Sequence, residues 1–435
     1  MKATTSVLTF LLLLGTSYWT FRASIPTYRE DAGLPPTEFS TARAFAHVQE
    51  ISKAPHAVGF PAHDQVRDYL LHALRELGLQ PELQRGYGGG KSNLSRAENI
   101  MARIPGTDPS RALLLLSHYD SNPHSSYGAS DAGSGVAAIL EGLRAFLAKG
   151  DPPKNDLIVL FTDAEELGLN GASLFVNDHP WIRDVGLVLN FEARGRGGPS
   201  YMFVETNRGT AAMIRAFTEA DVAWPVGNSL VYSIYKMLPN DTDLTVFRED
   251  ADVEGFNFAF IDDHFDYHTA LDTAPRLDKE SLAHQGAYLM PLLAHFSQED
   301  LSQLKSLNDL VYFNVPLLKM VSYPFDWIWP LQLVAVLLFL GILGYGLKKR
   351  RLRWRGMALG LLPMLLALGL AGAAGYFGWP LLKGLYPAYR EMLHGFTYNG
   401  YFYIAAWTAL SFAVCFWIYS RFGKSPLRDL MAAPL

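Results

Sequence analysis

Three apolar segments in the last quarter of the 435-residue chain each have about the length that a helix needs to cross a bilayer. They are Trp327 to Leu347, Met357 to Trp379 and Tyr401 to Ser420. None contains Asp, Glu, Lys or Arg, and each carries Trp or Tyr near its ends, which is typical of transmembrane helices. A chain with this pattern must fold in two solvents. We therefore predict a membrane domain over residues 325–435, behind a water-facing domain.

Charged residues beside the apolar segments predict how the chain is oriented in the membrane. Lys348 to Arg355 contains six basic residues in eight, and loops of this kind remain in the cytoplasm. Residues 1–23 hold a short apolar run after Lys2, which we interpret as an uncleaved signal anchor rather than a cleaved signal peptide. We expect an integral membrane protein whose residues 24–324 lie on the non-cytoplasmic side. That side is the periplasm or cell exterior in a bacterium and an organelle lumen in a eukaryote.

Composition narrows the possible partners and cofactors. The formal net charge is −5 and the chain has no basic domain, which argues against nucleic acid as a partner. The single cysteine, Cys415, lies in the third apolar segment, so intrachain disulfides and sites of several thiolates are excluded. A metal ion would therefore have to be held by oxygen and imidazole. The sequence leaves the oligomeric state open.

The water-facing domain alternates apolar runs with segments of helical spacing. The predicted strands are Glu98 to Ile104, Ala112 to Leu116, Asp156 to Phe161, Val185 to Phe191, Tyr201 to Glu205 and Gly255 to Ile261. The predicted helices are Thr41 to Ile51, His63 to Leu77, Gly135 to Leu147, Asn170 to Asn177, Thr210 to Ala220 and Ser281 to Phe296. This alternation predicts an α/β fold with a mixed, mostly parallel central sheet and helices on both faces, plus the transmembrane α-helices.

Five short polar clusters lie mostly at or just after the apolar runs. They are Ser117-His118-Tyr119-Asp120, Ala129 to Gly133, Asp163 to Leu167, Asn190 to Ala193 and Asp266 to Thr269. In sheets of this kind functional groups gather beyond the carboxyl ends of the strands. Because buried carboxylates are costly without a partner, and a metal ion is a common partner, the clusters predict a metal site.

Each cluster also has a structural alternative when it is considered alone. Asp131 could cap the helix that follows it, and a histidine such as His118 at a strand end is often structural. The adjacent Glu165 and Glu166 could simply be solvated in a loop. Taken together, two imidazoles and three carboxylates suit zinc, with cobalt or manganese possible. Two ions that share a carboxylate typically lie about 3.5–4 Å apart.

The order of these motifs resembles the M28 family of zinc peptidases from about Thr41 to Phe296. The resemblance is closest to the membrane-bound branch that includes the endoplasmic reticulum metallopeptidase 1 (Fxna) type. It rests on Asn190 to Ala193, Asn240 to Asp243 and Tyr267 to Thr273. The resemblance implies a zinc-aminopeptidase-like fold and two zinc ions per chain.

The resemblance also implies a set of metal ligands. Asp131 would bridge the two zinc ions, His118 and Glu192 would complete one site, and Glu166 and His268 the other. Many family members carry Asp where this chain has Glu192, so the side chain here reaches further.

Three more residues receive catalytic roles from the same resemblance. Glu165 would be the general base that activates water, Tyr267 would polarise the scissile carbonyl, and Asp120 would orient the first histidine. Arg194 and Arg196 follow the fourth cluster. They could meet a substrate carboxylate, but we expect solvated loop arginines there.

These expectations define a membrane-anchored dinuclear zinc exopeptidase, in the first instance an aminopeptidase. Its partners would be a peptide substrate and the lipid bilayer. One alternative is glutaminyl-peptide cyclisation, in which an amino-terminal Gln peptide loses ammonia instead of gaining water. Another is a catalytically silent membrane scaffold, although such proteins tend to lose ligands and this chain retains all five and the base.

Overall fold

A computed structural model describes residues 2–89, 93–238, 241–392, 395, 397–422 and 426–431. The chain divides into two compact units, residues 1–325 and residues 326–435. A short 3-10 helix, Phe325–Trp327, lies at the junction.

The first unit combines helices with two sheets. Its helices are α1 (Lys2–Arg22), α2 (Thr41–Ile51), α3 (Pro61–Glu76), α4 (Gly133–Lys149), α5 (Asn170–Asp178), α6 (Ala211–Glu219), α7 (Ser229–Met237), α8 (Asp243–Ala251) and α9 (Lys279–Phe296). Its strands are β1 (Glu82–Gly89), β2 (Leu94–Ile104), β3 (Ala112–His118), β4 (Leu157–Thr162), β5 (Val185–Ala193), β6 (Gly197–Glu205), β7 (Glu254–Asp262), β8 (Leu310–Val315) and β9 (Lys319–Pro324). Short 3-10 helices lie at Pro180–Arg183, His264–Asp266, Ala274–Arg276 and Leu301–Gln303.

The main sheet has seven strands in the order β1-β2-β4-β3-β5-β7-β6. Strands β4, β3, β5 and β7 run parallel to their neighbours in this set, while β1, β2 and β6 make antiparallel pairs at the two sides. The second sheet is the antiparallel hairpin of β8 and β9. The predicted α/β fold with a mixed, mostly parallel sheet is confirmed.

Both faces of the sheet are covered, which explains why the central strands are continuously apolar. Successive side chains of a strand point to opposite faces. Leu113 and Leu115 of β3 belong to a cluster with α3, α4 and α9, whereas Leu114 and Leu116 belong to a cluster with α5 and α8. All seven residues of β3 are buried.

The register of the parallel strands brings three polar clusters to one edge of the sheet. His118 at the end of β3 is paired with Thr162 at the end of β4. On the other side of β3, Leu116 is paired with Asn190, so His118 and Glu192 both lie two residues further along adjacent strands.

The second unit is helical. It contains α10 (Ile328–Lys348), α11 (Trp354–Leu385), α12 (Gly400–Arg421) and α13 (Leu427–Leu430), with a 3-10 helix at Pro387–Arg390. Within the described part of the chain, three helical segments are long and apolar enough to cross a membrane: Phe325–Lys348, Trp354–Leu385 and Gly400–Arg421. Helix α1 is not among them, so its role as an anchor stays a prediction.

Candidate active site

Asp131 lies between two histidines. Its Oδ1 is 3.2 Å from Nε2 of His118, and its Oδ2 is 3.1 Å from Nε2 of His268. Asp131 is 5% exposed, in the turn before α4, and its peptide bond to Ala132 is cis. One buried carboxylate therefore presents a separate oxygen to each imidazole, which is the arrangement of a bridging ligand between two cations.

Glu192 completes the group around the first histidine. Its Oε2 lies 3.5 Å from Nε2 of His118, and its Oε1 accepts a hydrogen bond from Nδ2 of Asn190 at 3.4 Å. On the other side of the ring, Nδ1 of His118 is 3.0 Å from the carbonyl oxygen of Asp120. Because a carbonyl only accepts, Nδ1 carries the proton and Nε2 is left to face the carboxylates.

Glu166 completes the group around the second histidine. Its Oε2 is 3.0 Å from Nε2 of His268 and accepts a hydrogen bond from Nδ2 of Asn122 at 2.8 Å. Its Oε1 is buried without a hydrogen-bond partner among the described residues. A buried carboxylate oxygen without a hydrogen-bond partner, in a residue that belongs to a cluster of acidic and imidazole groups, fits the ligand of a cation.

The five predicted metal ligands are thus brought together. Two groups, each with its ligand atoms within 4.8 Å of one another, share a carboxylate: His118, Asp131 and Glu192 form one, and Asp131, Glu166 and His268 the other. All five side chains offer oxygen or imidazole nitrogen. This donor set fits zinc in both positions.

Asp120 positions other residues of the site in addition to His118. Its carboxylate accepts the backbone N–H groups of Glu165 at 3.0 Å and Glu166 at 3.3 Å. One of its oxygens is also 3.5 Å from Nδ1 of His118. Asp120 therefore links the ends of β3 and β4, and it holds the two adjacent glutamates in register with the histidine.

Two buried aspartates support the site, although neither was assigned a role from the sequence. Asp272 accepts the backbone N–H groups of Ser130 at 2.8 Å and Asp131 at 3.2 Å, and so fixes the turn that carries the shared carboxylate. Asp243, fully buried, accepts a hydrogen bond from the hydroxyl of Thr162. Asp243 belongs to the motif that the sequence singled out without a role; Asn240 of that motif lies outside the described residues.

The acidic surroundings of the two histidines favour protonation of their rings. Burial would lower the pKa of His268, but hydrogen bonds to Asp131 and Glu166 raise it to about 10. Burial likewise opposes protonation of His118, yet Glu192 and its other acidic neighbours raise its pKa well above the usual range. Burial raises the pKa of Glu166 to about 7. The cluster therefore retains protons that a bound cation would displace.

A cavity of about 200 Å³ opens beside Glu165 and Glu192. Its apolar wall comes from β6, β7 and the region of α7, namely Phe203, Val231, Ile234, Tyr235, Leu238 and Ile261. A second, more polar cleft is lined by Glu166 and His268. Tyr267 lines both openings, as its predicted role requires.

The two arginines after β5 are not solvated loop residues. The guanidinium of Arg194 lies over the ring of Tyr267, 5.4 Å from its centroid, and lines both openings. Arg196 forms ion pairs with Asp263 at 2.7 Å and Asp266 at 3.2 Å. Sequence reasoning missed these placements because the acidic and aromatic partners lie some seventy residues downstream.

Comparison with known proteins agrees with this geometry. Residues 99–293 match the family model of Peptidase family M28. The chain therefore contains a Peptidase M28 domain, and the predicted resemblance is confirmed.

Two curated relatives are fungal proteins named vacuolar membrane protease. The protein of Candida albicans (strain WO-1) is 30% identical over 348 residues, which is 78% of this chain and 40% of the relative. The protein of Candida dubliniensis is 36% identical over 250 residues, which is 54% of this chain and 26% of the relative. The chain thus spans less than half the length of these relatives. Together with the three apolar helices, the similarity indicates a membrane protein.

Solved structures with a similar chain trace include a Zn-dependent exopeptidase from Parabacteroides distasonis. It is 21% identical, has a TM-score of 0.49, and the match covers 60% of this chain and 99% of that one. A glutaminyl cyclase from Porphyromonas gingivalis is 19% identical, also with a TM-score of 0.49, over 59% of this chain and 98% of that one.

Proposed function

We propose that this protein is a membrane-anchored, dinuclear zinc aminopeptidase. The observation that carries the proposal is the position of Asp131, whose two oxygens each face a histidine that has a second carboxylate beside it. Two overlapping groups of three N/O ligands are what a pair of zinc ions requires.

One zinc would be held by His118, Asp131 and Glu192, and the other by Asp131, Glu166 and His268. When bound, such ions lower the pKa of water and polarise a carbonyl group. The remaining chemistry belongs to side chains of this chain that border the cavity.

Glu165 is the proposed general base. Its backbone N–H is held by Asp120 at 3.0 Å, and its side chain lines both openings. Burial raises the pKa of Glu165 well above its usual range, and the effect of Glu192 adds to this. A carboxylate that binds a proton more readily is suited to take one from water and to pass it to the leaving amine.

Tyr267 is the proposed partner of the developing oxyanion. Burial and nearby carboxylates raise the pKa of its phenol, so the hydroxyl stays protonated across the physiological range. A phenol that lines both openings of the site can donate a hydrogen bond to an oxygen that gains charge in the transition state.

One carboxylate of the cavity is free to pair with the amino end of a peptide. Asp241 lines the cavity without a proposed role in metal binding or proton transfer, and it can pair with an α-ammonium group, while Arg194 adds the opposite charge to the lining. The apolar wall would accept the side chain of the first residue. The proposed substrates are therefore peptides with a free amino terminus and an apolar first side chain.

The proposal includes a topology. Residues 1–23 would be an anchor, residues 24–324 the peptidase domain, and residues 325–435 a membrane domain. The basic segment Lys348 to Arg355 supports a cytoplasmic position for the loop after the first span, and hence a non-cytoplasmic peptidase domain. Alkaline phosphatase fused after residue 324 would be active only if that domain is exported.

The decisive test uses the full chain purified in detergent. We expect about two zinc ions per chain by elemental analysis, with hydrolysis of a leucyl peptide that is lost on chelation and restored by zinc. Mass spectrometry of an amino-terminal Gln peptide distinguishes hydrolysis, which adds water, from cyclisation, which releases ammonia. A folded protein that binds no zinc would overturn the proposal.

A further inference from the structure

Helix α7 presents an apolar face to the outside of the first unit. Leu230 is 70% exposed, Ile234 is 48% exposed and Met237 is 83% exposed. Their spacing of four and three residues places them along one side of the helix. None of the nine residues of α7, all of them described, is fully buried. A surface helix usually turns its apolar side toward the core. An exposed apolar face of this kind therefore marks a contact surface.

The adjoining side of α7 borders the candidate active site. Val231, Ile234 and Tyr235 line the cavity beside Glu192, and Tyr235 stacks on Phe203 with ring centroids 4.5 Å apart. We call Leu230, Ile234 and Met237 the outer face of α7; Ile234 lies at its edge, where this face meets the cavity.

Two neighbours of α7 indicate that a lipid bilayer covers its outer face. Asn228, which caps the start of α7, lines the same surface cleft as Ser17 and Phe21 of α1. Helix α1 exposes apolar side chains along its length, with Leu11 to Leu14 between 54% and 70% exposed, and it is tied to the first unit by the ion pair of Arg22 with Glu280 at 2.7 Å.

The second neighbour is the hairpin of β8 and β9. Asn228 forms an isolated antiparallel β-bridge with Phe313 of β8. The hydroxyl of Ser229 accepts a hydrogen bond from the backbone N–H of Tyr312 at 2.9 Å. The chain leaves β9 at Pro324 and enters a candidate membrane span at the next residue, Phe325. The start of α7 is thus bound to the strand pair that leads directly into the membrane domain.

We propose that the outer face of α7 lies in the interface of a phospholipid bilayer. The helix has no acidic residue and one lysine, Lys236, which fits an interfacial helix with its axis along the membrane surface. The cavity wall then lies at the lipid surface, within reach of peptide ends held there. This consequence for substrates rests on the proposed function, whereas the lipid contact itself does not.

The test attaches a fluorophore at single cysteines in the full chain reconstituted in phosphatidylcholine vesicles. The background is Cys415→Ala, which removes the only native cysteine. The probed variants are Leu230→Cys and Met237→Cys. The control is Leu94→Cys, because Leu94 is also 70% exposed but lies on β2, at the side of the sheet away from β6 and α7. Brominated acyl chains report lipid contact, and iodide reports water.

Lipid contact predicts that brominated lipid quenches the labels at 230 and 237 at least twofold more than the label at 94, and that iodide does the reverse. Equal iodide quenching at all three positions would overturn the proposal. Protection of 230 and 237 from both quenchers would also overturn it, because protein, such as a second copy of the chain, would then cover the face. Quenching requires neither zinc nor turnover, so failure here is distinguishable from failure of the proposed enzyme.

Discussion

The carboxylate of Asp272 accepts the backbone N–H of Asp131 at 3.2 Å, although 141 residues separate them in the chain. Its other oxygen accepts the neighbouring N–H of Ser130 at 2.8 Å. The turn that presents the shared carboxylate is therefore fixed by a buried anion from the far side of the sequence, just after His268.

Replacing Asp272 with Asn should weaken zinc binding about 10–100-fold, which is the usual cost of losing a residue that orients a ligand. The amide keeps one acceptor and puts a donor against the second N–H, so the turn loosens while the ligands remain. Competition with a chromophoric chelator measures the effect. Asp64→Asn, at a side chain that is 69% exposed, is the control. Equal affinities in both variants would show that the turn is held by other contacts.

Replacing Glu165 with Gln should retain both zinc ions and lower kcat by about 10²–10⁴-fold, because an amide of the same shape cannot accept the proton. Elemental analysis and peptide turnover on one sample give both quantities. Glu50→Gln changes a glutamate whose side chain is 46% exposed and should have no effect. Turnover near the parent value would remove Glu165 from the mechanism.

Zinc binding to the metal-free protein should release about two protons at pH 7.5, because imidazole must be neutral to bind a metal. The pKa of His268 is about 10, so this ring is charged at this pH, and the acidic neighbours of His118 shift its pKa in the same direction. Affinity should therefore fall as the pH falls. Below pH 7 a further proton competes at Glu166, whose pKa is about 7. Calorimetry in two buffers of different ionisation heat counts the protons, and a count near zero would contradict the assigned ligands.

Replacing Ile261 with Ala should lower kcat/KM for leucyl peptides about 10-fold relative to alanyl peptides, because apolar pocket contacts contribute roughly 1–3 kcal/mol to discrimination. Ile261 lines the apolar wall of the cavity. Leu94→Ala removes an exposed side chain outside the cavity wall and should leave the ratio unchanged. A constant ratio in both variants would mean that the first side chain binds elsewhere.

The sheet could be predicted largely from its buried strands. Strands β3 and β4 are continuous apolar runs because both of their faces are covered, and this pattern marks them in the sequence. Strand β1 was missed because Glu82 to Gly89 is a partly exposed edge with a polar, glycine-rich sequence. Helix α7 was missed, although its apolar residues recur at helical spacing, because a run of only nine residues with Val, Ile and two Tyr is equally compatible with a strand.

The residues of the candidate site were also predicted only in part. The five predicted ligands lie together because the carboxyl ends of parallel strands meet at one edge of the sheet. This rule can be applied from the order of strands in the sequence alone. The roles of these residues stay predictions. Asp272 and Asp243 were missed because an aspartate is identified as a support only by its partner, and these partners are up to 141 and 81 residues away.

The spacing of the site along the chain has a consequence for biosynthesis. The ribosome makes His118, Asp131, Glu166 and Glu192 first, but the second histidine and the aspartate that fixes the Asp131 turn emerge only at positions 268 and 272. A nascent chain that ends before these positions lacks one proposed ligand and the carboxylate that holds the Asp131 turn. If the proposed zinc sites and the proposed export are correct, both sites can fill only after residue 272 has been made, and the metal supply where the domain folds then sets how much of the protein carries zinc.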